Sequence, residues 1–166
     1  MRFFAAPILT AAILACNQST RIQFSADDIA IEPASAVAAL PTGDRSTGFE
    51  MPIIITNRSM MPIYYEPGVY VVERTRDGGG WQSAWTSRPS KPRSSPSAML
   101  TIPPGRSVTI DVDTRGSGLA PTTLYDGQYR IRFVLVVNRI GGFAPVPEDL
   151  SVSTPFKVVK PSQRIG

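Results

Sequence analysis

Three sets of side chains in this sequence are of types that can react or hold a ligand. The first is Cys16, the only cysteine in 166 residues. A lone thiol can be modified, but with no second cysteine it can form no disulfide within the chain. The second is Trp81 and Trp85, whose rings can stack on a sugar or on a partner side chain. The third is Arg88, Lys91 and Arg93, which can pair with phosphate or another anion. Histidine is absent, which removes the commonest general base and the commonest metal ligand. No Gly-x-Ser-x-Gly occurs, no lysine stands in a Ser-x-x-Lys frame, and Gly78-Gly79-Gly80 lacks the strand-to-helix context of a phosphate loop. Asp27-Asp28 and Asp111-x-Asp113 are too far apart in sequence to promise the six or more oxygens that calcium takes. No catalytic residues, no metal and no cofactor are expected, and the chain reads as a non-enzyme.

The elements that position these residues are short strands. The apolar fraction is 42%, enough for a core, and sixteen prolines and thirteen glycines suit strands joined by turns better than helices. Seventeen basic and thirteen acidic residues give a net charge of +4. The excess is spread along the chain, and its one cluster sits in a Pro/Ser loop. A nucleic-acid partner is therefore not expected.

Residues 1–16 read MRFFAAPILTAAILAC. A basic start, a thirteen-residue apolar run from Phe3 to Ala15 and small residues at its end match a secretory signal. The run is too short for a membrane-spanning helix, which needs about 20 residues. Ile13-Leu14-Ala15-Cys16 resembles the lipobox of bacterial lipoproteins. The resemblance implies that residues 1–15 are cleaved as a signal peptide. It also implies that Cys16 carries a covalent lipid and that the mature chain is membrane-anchored at the cell envelope. Two or three acyl chains hold a membrane durably where one does not. By the Gram-negative sorting pattern, Asn17 implies the outer membrane, with the protein facing the periplasm. Residues 16–47 are then the lipidated anchor, a tether and a possible first edge strand. A disordered tether of about 30 residues reaches roughly 30 Å.

Asp126-Gly127 is a turn followed by the longest β-like run, in which Tyr129, Ile131, Phe133, Leu135 and Val137 share a face. This run should be a central strand. Gly48 to Asn57 is a second strong strand; Pro52, which donates no ladder hydrogen bond, puts it at a sheet edge there or starts it after Pro52. Met61–Tyr65 and Gly68–Arg74 read as two short segments parted by Glu66-Pro67. Trp81–Trp85, Met99–Ile102, Ser107–Val112 and Leu150–Lys160 supply the rest. Pro33 and Pro41 bracket a stretch that could make one or two helical turns. Ser87–Ser97 predicts a mobile polar loop, and residues 161–166 a tail.

Six to eight short strands at this spacing predict a single all-β sandwich over residues 48–160. Leu124-Tyr125-Asp126-Gly127-Gln128-Tyr129 resembles the tyrosine corner of immunoglobulin-like domains. Further along, Asn57, Glu73-Arg74, Gly80-Trp81, Pro104-Gly105, Gly127-x-Tyr129-Arg130 and Ser153-Thr154-Pro155-Phe156-x-Val158 resemble, in order and spacing, the immunoglobulin-like domains of small bacterial envelope lipoproteins. Ile131 stands where antibody-type domains carry a disulfide cysteine. The resemblance implies an antiparallel immunoglobulin-like fold and an envelope location, and no common activity.

Trp81 and Trp85 lie four residues apart, which on a regular strand puts them on one face, with at least one expected to cap the core. Arg130 and Arg132 are expected to pair with an acidic neighbour such as Glu73 or Asp111. The expected function is a lipid-anchored, non-catalytic protein whose partners are the membrane and another envelope protein. Two alternatives stand beside it. One is a chaperone- or inhibitor-like module that captures clients by strand addition near Pro52 or at the final strand. The other is a glycan- or lipid-A-binding module using both tryptophans and the basic loop.

Overall fold

The computed structural model describes residues 23–40, 48–87, 99–115, 124–139 and 141–160. These contain ten strands: β1 (Ile29–Pro33), β2 (Val37–Ala39), β3 (Glu50–Asn57), β4 (Ile63–Thr75), β5 (Trp81–Thr86), β6 (Leu100–Ile102), β7 (Arg106–Asp113), β8 (Gly127–Arg139), β9 (Gly142–Pro145) and β10 (Phe156–Val159). A 3-10 turn covers Glu148–Leu150.

The strands form two sheets. One has the order β1-β3-β7; the other has β2-β10-β8-β4-β5, with β6 also on β4 and β9 also on β8. Their inner faces share one core, an all-β sandwich. Every β8 residue expected on the inner face, Tyr129, Ile131, Phe133, Leu135 and Val137, is buried. Ile53, Ile55 and Val112 meet them from the opposite sheet, and Phe49 packs edge-on against Tyr129 and Phe156 at 6.1 and 5.5 Å between ring centres. The sandwich reaches upstream of residue 48, because β1 and β2 belong to it.

The sheets are not wholly antiparallel. β2 runs parallel to β10, while β1 is antiparallel to β3. Only Ala34, Ser35 and Ala36 separate β1 from β2, too few to cross between sheets and also reverse. The stretch between the two prolines is thus a strand, not a helical turn.

β3 is the centre of its sheet, contrary to the edge expected from Pro52. Pro52 sits where the β1 pairing has just ended, at Pro33 opposite Ile53. Its carbonyl accepts from Ala34 N–H at 2.9 Å. Carbonyl and nitrogen of one strand residue point to the same side, so the missing donor faces a place where no strand needs it.

β4 is one strand, not two segments. Tyr65 stands opposite Leu135 and Tyr70 opposite Phe133. Glu66, Pro67, Gly68 and Val69 therefore loop out across from Val134 alone. Gly68 makes this possible with φ 75°, a left-handed value that side chains disfavour. β6 and β7, consecutive in the chain, belong to different sheets.

Candidate functional site

The outer face of the larger sheet carries a nearly buried carboxylate held by two arginines. Glu73 on β4 pairs with Arg130 on β8. The Arg130 Nε–H donates to Glu73 Oε2 at 2.6 Å, and the Arg132 Nε–H donates to Oε1 at 2.8 Å. Glu148, at the start of the 3-10 turn, approaches Arg132 at 3.7 Å. The Glu73 side chain is only 8% exposed, against 21% and 34% for the arginines. Of the two acidic residues named from sequence, Glu73 takes both arginines; Asp111 lies on β7 in the other sheet.

Trp81 completes this group and Trp85 does not. The Arg130 guanidinium lies 4.6 Å from the centre of the Trp81 ring, within cation–π range. Trp85 faces inward, 7% exposed, stacked on Tyr70 at 5.6 Å. The expectation of one shared face is overturned, and the cause is a β-bulge. Val72 pairs with Trp85 but Glu73 pairs with Ser83, leaving Ala84 without an opposite number. One extra residue shifts the alternation, so residues four apart take opposite sides. A ligand platform made of both tryptophans is therefore absent.

Tyr129 is fully buried on the inner face of β8. Its hydroxyl donates to Tyr125 O at 2.8 Å and accepts from Tyr125 N–H at 3.1 Å. Burial pushes the Tyr129 hydroxyl pKa up, with the Tyr125 hydrogen bond opposing in part. Beside it, Gly127 leaves room for Arg74, whose Nε would lie 3.1 Å from an added Cβ. Cys16, Arg88, Lys91 and Arg93 lie outside the described residues.

Asn57 was read from sequence only as a strand end, yet it is fully buried and makes four hydrogen bonds. Its Nδ2 donates to Met61 O at 2.7 Å and Ile102 O at 2.8 Å, and its Oδ1 accepts from Ser59 N–H and Oγ–H. It thus fastens the β3–β4 turn to β6 in the other sheet. A strand-terminal Asn before Arg58-Ser59 signals a turn, but its second donor bond depends on a strand 45 residues away.

Neither edge named from sequence for strand capture is an edge. β3 is central, and β10 lies between β2 and β8. Among the described residues, β7 is an eight-residue strand paired on one side only. Asp111 opposes Pro52, so its N–H and C=O point away from β3. Two residues on, Asp113 points the same way, and the Tyr70 hydroxyl caps its N–H and C=O at 3.0 and 3.1 Å. By the same alternation Ser107, Thr109 and Asp111 offer their backbone groups outward.

No family model and no curated protein matches this chain. Solved structures similar to it include an X-ray structure of a structural-genomics target, at 14% identity and TM-score 0.47, covering 82% of this chain and 90% of that one. A Bordetella pertussis protein described as ApaA matches at 13% identity and TM-score 0.42, covering 81% and 94%. The ASH/PapD-like domain 7 of human CEP192 matches at 12% and TM-score 0.30, covering 93% and 96%. At these scores the likenesses carry no argument about this chain.

Proposed function

We propose that this protein is a lipid-anchored, non-catalytic envelope protein whose immunoglobulin-like domain binds another envelope protein. The observation that carries the reading is Cys16, the sole cysteine, directly after Ile13-Leu14-Ala15 and an apolar run of signal-peptide length. The protein sits at the outer membrane and faces the periplasm, held by lipid on Cys16. The immunoglobulin-like assignment is supported by the Tyr129–Tyr125 hydroxyl link.

A second reading is favoured by one observation, the outward backbone groups of β7. A client strand added there would extend the smaller sheet and gain main-chain hydrogen bonds. Asp111 on that strand selects against acidic clients, whereas the Asp113 carboxylate is already paired with Arg115.

The test is crosslinking in intact cells followed by affinity capture, with Cys16→Ser as control. One abundant envelope protein, captured with the acylated form alone, is the expected result. Capture of many unfolded clients moves the reading to β7. Equal capture by Cys16→Ser removes the anchor from the function.

A further inference from the structure

The point at which the chain enters the sandwich determines which surface can meet a membrane. Phe24 is packed against the core. Ser25 N–H donates to Asp28 Oδ2 at 2.7 Å, and Asp28 O accepts from Arg58 N–H at 2.8 Å. Among the described residues, the chain first meets the core at Phe24, at the pole where β3 ends and β4 starts. Seven residues, 17 to 23, separate Cys16 from it.

Eight peptide steps span at most about 28 Å even when fully extended. β8 runs the other way along the sandwich for 13 residues, about 40 Å. A lipid on Cys16 cannot let the far pole, with the Arg76–Gly80 turn, rest on the bilayer. It can hold the near pole there.

That near pole has the composition of an interfacial surface. Met60, at the tip of the β3–β4 turn, is 92% exposed, and Phe143, just after the Gly141-Gly142 turn, is 44% exposed. Pro62, Pro103 and Pro104 are exposed beside them, as are Arg58 and Arg106. Asp27 is the exposed acidic residue of the same pole. Apolar tips flanked by arginines suit the headgroup layer of an anionic bilayer, where the side chain enters and the guanidinium pairs with phosphate.

We propose that this pole is a membrane-resting surface, with Met60 and Phe143 entering the headgroup layer and Arg58 and Arg106 pairing with anionic lipid. This rests on acylation of Cys16. The sandwich then stands on end, and the β7 edge and the Glu73 face both run away from the membrane, open to partners.

The test uses the acylated full chain in vesicles of phosphatidylcholine alone and with added phosphatidylglycerol. Met60→Cys and Asp77→Cys variants carry an environment-sensitive dye, and the mass of the N-terminal peptide reads the acyl chains. Emission from position 60 should shift to the blue and be quenched by headgroup-level quenchers, more strongly with phosphatidylglycerol. Position 77 should not change. Arg58→Glu with Arg106→Glu should abolish the extra shift from the anionic lipid. Acyl mass present with no shift at 60, or a shift at 77, overturns the resting surface and leaves the anchor standing. A shift at 60 that needs an added envelope protein also overturns it. Absence of acyl mass removes the anchor and this proposal together.

Discussion

Glu73 and Arg130 meet at 2.6 Å on the outer face of the larger sheet, and the same carboxylate holds Arg132 at 2.8 Å. Removing the carboxylate leaves two guanidinium groups facing each other beside Trp81. Breaking a buried pair costs about 3–5 kcal/mol, less where the partners keep some water, as both arginines do here. We expect Glu73→Ala to cost roughly 2 kcal/mol. The urea midpoint should fall with the slope unchanged. Glu73→Leu combined with Arg130→Met should cost less than the sum of the single changes.

The two tryptophans should respond differently to replacement. Trp85 is 7% exposed and stacked on Tyr70, so Trp85→Ala should cost about 3–5 kcal/mol. Trp81→Ala loses mainly the Arg130 contact, about 1 kcal/mol. Trp81→Phe should leave the bluer emission of a buried indole, and Trp85→Phe the redder one. Equal costs and equal spectra would return both rings to one face.

Asn57→Ala strips four hydrogen bonds from a site without solvent access. The carbonyls of Met61 and Ile102 then lose a donor. A buried group left unsatisfied costs about 1–3 kcal/mol, so a loss near the top of that range is expected. Asn57→Asp should be worse, because a carboxylate would face two carbonyl oxygens. Thermal unfolding of both variants checks the order.

Alkaline pH should destabilise the fold through Tyr70 and Tyr129. Burial raises both hydroxyls above the ordinary 10.0. The unfolded chain then loses these protons first and binds fewer than the folded one, so stability is full below pH 10.0 and falls as pH rises through the gap. Tyr129→Phe should cost about 1 kcal/mol at neutral pH and make the alkaline decline shallower. A decline as steep as the parent's would assign it to other groups.

Much of the fold was legible because period two survives wherever a strand has one wet face. β8 and β3 show it from end to end: every expected inner residue of β8 is buried, as are Met51, Ile53 and Ile55 of β3. What failed depended on a partner strand. Pro52 looks like an edge residue until Ala34 N–H is seen to reach its carbonyl. The Trp81–Trp85 spacing misled because nothing in Trp-Gln-Ser-Ala-Trp marks Ala84 as the residue left over. β2 was hidden because three residues carry no period, and only β10 beside them makes a strand. β9, four residues beginning at Gly142, needed the neighbouring end of β8. Glu73 could be named as a partner because charge complementarity across a sheet needs only proximity, whereas the β7 edge required knowing which strand lies at the centre.

The parallel contact of β2 with β10 ties Val37–Ala39 to Lys157–Val159, which has a temporal consequence. A chain made from its N-terminus presents β2 well before β10. Until residues 156–159 arrive, β2 lacks its described neighbour and β8 is open along Gly127–Tyr129 on the side away from β4. Assembly of the larger sheet is therefore a completion step that waits for residues 156–159. A ribosome that stalls before Phe156 would release a protein with two sticky strand edges, a natural substrate for quality-control proteases.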